Sequence, residues 1–153
     1  MKNLLLILVI SFTASCTSQR STFKNISEKD GNIGIGTTSP DELLTVKGKI
    51  HTQEVLVDLE GAVAPDYVFE HFFEGKSTLN PNYASLSLTE IETYVKQHHH
   101  LPGVPSAKEF EEKGMALKEM NLLLLEKIEE LTLFTIQQQK EIDTLKEQLK
   151  NSQ

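Results

Sequence analysis

The chain has 153 residues, of which 39% are hydrophobic and 7% aromatic, with no tryptophan. That length suits one ordinary domain or a small domain with an elongated element, and the hydrophobic share lies below the roughly 45–50% of an average globular chain. Twenty-two acidic residues against 15 basic ones give a net charge of -7, which argues against strong non-specific binding to nucleic acid.

The first 16 residues have the pattern of a secretory signal. Lys2 supplies the positive start, Leu4–Ile10 is a continuous apolar run, and Thr13-Ala14-Ser15-Cys16 supplies small residues at its end. The run is too short for a permanent span, which needs about 20 apolar residues. Cys16 is the only cysteine, so no intrachain disulfide and no cysteine-rich zinc site can form. The segment resembles a bacterial lipobox, with Thr13 where that motif prefers an aliphatic residue. The resemblance implies that the Cys16 thiol is lipidated and becomes the first residue of the mature chain. No other segment is apolar for long enough to span a membrane, so attachment rests on the lipid. No acidic residue follows Cys16 directly. The implied location is therefore the cell envelope, at the outer membrane and on its periplasmic side.

Residues 17–30 are polar and aperiodic and read as a flexible tether. Residues 31–65 form a Gly-rich segment with the period of β-structure. Leu44, Val46, Gly48 and Ile50 alternate with polar residues, and Val55, Val57 and Leu59 repeat the pattern, which predicts two half-buried strands. Gly34-Ile35-Gly36 has no third glycine and no helix opening after it, so a nucleotide-binding loop is not supported. Residues 66–114 open with the aromatic run Asp66–Phe73. Two capping boxes follow, Ser87-x-x-Glu90 and Ser106-x-x-Glu109, and predict short helices over 88–97 and 107–113 that stop at Leu101-Pro102-Gly103 and Gly114.

From residue 115 to 153 there is neither proline nor glycine. With Leu117 at d, the a/d positions are Leu117, Asn121, Leu124, Ile128, Leu131, Thr135, Gln138, Ile142, Leu145 and Leu149. This is a heptad repeat with polar layers at Asn121, Thr135 and Gln138. Charges such as Glu126, Lys127, Glu129 and Glu130 are expected on its wet outer side. Such a helix, roughly 50 Å long, buries its stripe by self-association or by folding back on its own domain. Leu122, Leu123, Leu125, Leu133 and Ile136 widen the apolar face, which suits a trimer or local docking better than a thin dimer seam.

Gly34–Pro40 with Leu44–Ile50 resembles the repeat of Bacteroidetes tail-fibre-like proteins. Asp66–Glu70, Leu88–Lys96, His100–Ala107 and Leu125–Leu133 resemble the C-terminal module of that family, in the family's order. The module is distantly similar to the endosialidase-type intramolecular chaperone domain, which trimerises, templates a β-fibre and cleaves itself with a Ser–Lys pair. The resemblance implies a short fibre with three chains wound together. No Ser-Asp junction stands between the β segment and Asp66, so self-cleavage is not expected here.

Other chemistry is poorly supported. His98-His99-His100 suggests a metal site, but adjacent side chains diverge, and the reading preferred is a cationic helix end with a structural His100. No nucleophile elbow or ordered triad is present. Glu111-Glu112 and Glu129-Glu130 read as solvated faces. The residues before the heptads are too acidic for a leucine-zipper DNA binder. The expected fold is therefore α+β: a short β-stalk, a small aromatic α/β module with two short helices, and a long C-terminal coiled-coil helix. The expected function is that of a non-enzymatic, lipid-anchored fibre-like protein, with no cofactor, metal, nucleic acid or small-molecule substrate. Its expected partners are the membrane, through lipidated Cys16, and itself as a homotrimer through Leu117, Leu124, Ile128, Leu131, Ile142, Leu145 and Leu149. The alternatives are a chaperone-like assembly module, possibly a vestigial autoprotease, and a cell-envelope adhesin, which the absence of tryptophan supports poorly. Replacing the thiol tests the anchor. Cys16→Ser is expected to move the protein from the membrane fraction to the soluble periplasmic fraction, and unchanged fractionation would refute lipid attachment.

Overall fold

The computed structural model describes residues 23–152. The expected signal segment with Cys16, and residues 17–22 of the expected tether, lie outside the described residues. The protein is α+β, and it divides into two compact units on either side of residue 55.

The first unit is a three-stranded sheet of β1 (Ile26–Lys29), β2 (Asn32–Ile35) and β3 (Leu44–Val46), in that spatial order. Strands β1 and β2 form an antiparallel hairpin in which Lys29 pairs with Asn32 and Ile26 with Ile35. The two residues between them, Asp30 and Gly31, have φ of 54° and 85°. Two consecutive positive φ values match the twist of a two-residue hairpin, and Asp-Gly is among the pairs that tolerate them best. Strand β3 runs parallel to β2, with Ile33 opposite Leu44 and Ile35 opposite Val46. The connection between them crosses back over the sheet, and Gly34 is what lets it come so close. A Cβ on Gly34 would overlap the Thr37 carbonyl oxygen and come within 2.8 Å of Ser27 Oγ. Thr45 fastens the other end of the connection: its hydroxyl donates to Asp41 Oδ1 at 2.8 Å and accepts from the Asp41 and Glu42 amides at 3.1 Å.

Two expectations are corrected here. Ile26–Lys29, read as the end of a tether, is a strand, because the Asp30-Gly31 turn gives it an edge to pair with. Val55–Leu59, read as a strand, is not one, and Leu56 is 90% exposed. Alternation assigns residues to two faces but does not supply the neighbouring edge that a ladder requires.

The second unit contains four helices: α1 (Tyr67–Glu74), α2 (Leu88–His98), α3 (Ala107–Lys113) and α4 (Leu117–Asn151). The expected aromatic α/β module is helices and loops, with no strand among its described residues. Its aromatic run forms α1, which ends at Gly75 in the left-handed region. Both expected capping boxes are present. The Ser87 amide donates to Glu90 Oε2 at 2.8 Å and the Ser106 amide to Glu109 Oε2 at 2.9 Å, and each serine hydroxyl oxygen accepts from the matching glutamate amide. Helix α1 packs on α4, and the core there consists of Tyr67, Val68 and Leu133, flanked by Phe69 and Tyr83. No helix among the described residues is long and apolar enough to cross a membrane.

Gly34→Ala checks the account of the crossing connection. The added methyl is expected to cost about 1–3 kcal/mol, as overpacking does, and to strip hydrogen-exchange protection from residues 26–46 while leaving α4 unchanged.

Candidate functional site: the two faces of the long helix

Helix α4 has 35 residues and carries two different surfaces. At about 100° per residue, Glu126, Glu129 and Leu133 lie roughly opposite the a/d stripe. The first surface is docked within the chain. There the Tyr67 hydroxyl donates to Glu126 Oε2, and the Tyr83 hydroxyl donates to Glu130 Oε1 at 3.0 Å. Lys127 bridges the two carboxylates, with Nζ 2.7 Å from Glu126 and 3.1 Å from Glu130. The rings of Tyr67 and Tyr83 lie 5.1 Å apart, and His71 meets Tyr83 edge-on at 5.4 Å. Burial and the adjoining carboxylates raise both tyrosine pKa values.

Glu70, on α1, holds the loop that follows. Its carboxylate accepts from the Ser77 hydroxyl at 2.5 Å, the Thr78 hydroxyl at 2.7 Å and the Thr78 amide at 3.0 Å. These donors, led by Ser77, hold the Glu70 carboxyl down at about 2. Beside the joint runs an apolar cleft of about 420 Å³, lined in part by Val68, Phe72, Tyr83, Leu86, Leu133 and Phe134.

The docked face overturns one expectation. Glu126, Lys127, Glu129 and Glu130, expected as outward, solvated charges, are largely covered: Glu129 is 7% exposed and the side chains of the other three are 15–19% exposed. The signal that could have found them is the pair Tyr67 and Tyr83, whose hydroxyls need acceptors once their rings are buried. Glu129 itself is incompletely partnered, because its Oε2 is buried without a hydrogen bond. Burial raises its pKa, and the nearby charges of Asp66 and Glu126 raise it further.

The second surface is bare. All seven expected association residues are exposed: Leu117 51%, Leu124 44%, Ile128 58%, Leu131 63%, Ile142 45%, Leu145 57% and Leu149 66%. From Thr135 to Asn151 every residue of the helix is exposed. Two of the polar layers already satisfy donors within their own helix. Asn121 Nδ2 donates to the Leu117 carbonyl at 2.7 Å, and the Thr135 hydroxyl donates to the Leu131 carbonyl at 2.8 Å. Those donors would not be orphaned if a partner covered them.

The histidines close helix α2. His99 is its left-handed cap at φ 61°, and its amide donates to the Val95 carbonyl at 2.9 Å. The rings of His98 and His100 lie 4.3 Å and 5.5 Å from that of Tyr94. Among the described residues no three His, Cys, Asp or Glu side chains are grouped so as to hold a metal ion.

Compared with known protein families, curated proteins and solved structures, the chain matches none of them.

The docked face yields a pH prediction. A carboxyl whose folded pKa is raised favours the fold when protonated, and it loses that contribution as pH rises through the folded value. Glu129 therefore weakens the α1–α4 joint progressively above about pH 4.5, its unfolded value. Glu129→Gln, which keeps the shape without the charge, is expected to raise the melting temperature at pH 7 and to flatten its fall between pH 4.5 and 7. An unchanged pH profile would remove Glu129 from this role.

Proposed function

We propose that this chain is a non-enzymatic, lipid-anchored, fibre-like protein of the cell envelope that assembles as a homotrimer through α4. The observation that carries the reading is the bare a/d stripe of α4, which faces away from the chain's own docked elements. The docked half of the helix has its partner in α1, whereas residues 135–151 have none within the described chain. An isolated helix of that length is marginal in water, so the heptads beyond Leu133 call for a partner with the same spacing. Another copy of α4 supplies one.

The energetics make the seam sensitive to single residues. Completing the burial of half-exposed aliphatic side chains contributes on the order of 1 kcal/mol each. Association costs about 4–15 kcal/mol, so the layers together are of the same order as that cost. Ile at a with Leu at d alone would favour two strands. Three are proposed because the Gly-rich segment and the module after Asp66 resemble trimeric tail-fibre-like proteins. The anchor is assigned to the Cys16 lipid, at the periplasmic side of the outer membrane.

The test uses the full chain carrying Cys16→Ser, measured by light scattering coupled to chromatography. Three times the chain mass is expected. A dimer would end the trimer assignment, and a monomer at micromolar concentration would end the self-association reading. Ile142 lies beyond the docked half of the helix, so Ile142→Asp is expected to give monomers, with loss of helix signal from residues 135–151 and an intact α1–α4 joint.

A further inference from the structure

We draw no further inference here: the strongest candidate, the apolar cleft of about 420 Å³ between α1, the loop that leads into α2 and the middle of α4, is an unpartnered apolar surface whose two carboxylates, Glu90 and Glu130, are already satisfied within the chain, and nothing in the structure shows what covers it.

Discussion

The structure depends on one helix that must satisfy two faces at once. Helix α4 carries Leu122, Glu126, Glu129 and Leu133 on one side and its a/d aliphatic residues on the other. A helix 10–12 Å across cannot turn both toward the same neighbour. The chain provides α1 for the first side. Val68, 1% exposed, fits against Leu133 there, and Tyr67 and Tyr83 close over the carboxylates. For the second side the described chain provides nothing, and the apolar character of the stripe follows from that division.

The docked side joins a small apolar core to a polar network. Only three hydrophobic residues form its buried core. Around them one cation, Lys127, serves two glutamates, and Tyr67 and Tyr83 each give a hydroxyl hydrogen to one of them. Such a network specifies how α1 sits on α4, since each tyrosine hydroxyl donates to its own glutamate and Lys127 ties the two glutamates together. It also carries an internal conflict, because Glu129 is buried beside Asp66 and Glu126 without a cation of its own. A small joint that contains an unpaired carboxylate has little stability to spare, and anything that stiffens α4 from outside would stabilise it.

How much was legible in the sequence varied with the kind of signal. Ser87 with Glu90 and Ser106 with Glu109 act within one turn of chain, and both capping boxes form as read. The long helix follows from the absence of Gly and Pro and the heptad spacing. Strand β1 is not legible locally, because Asp30-Gly31 straddles the boundary between the polar stretch and the Gly-rich segment, and Ile26–Lys29 holds a single aliphatic residue. The docked carboxylates were missed for a different reason. Glu126 and Glu130 look like any solvated heptad charges until Tyr67 and Tyr83, which lie 59 and 47 residues upstream of them, are brought against them. Local pattern cannot supply contacts of that span, and the same holds for Val55–Leu59, whose alternation had no edge to join.

The stripe of α4 bears on the docked side as well. Burying its half-exposed aliphatic residues would contribute an energy of the same order as the cost of association, so under the proposed assembly the seam and the small α1–α4 joint would each have little stability to spare. The polar layers at Thr135 and Gln138 would lower the strength of that seam and fix its register. Asn121 and Thr135 already donate to carbonyls of their own helix, so a partner that covered them would orphan neither donor. Such a seam would open first around Thr135 and Gln138, where two successive layers lack an aliphatic side chain.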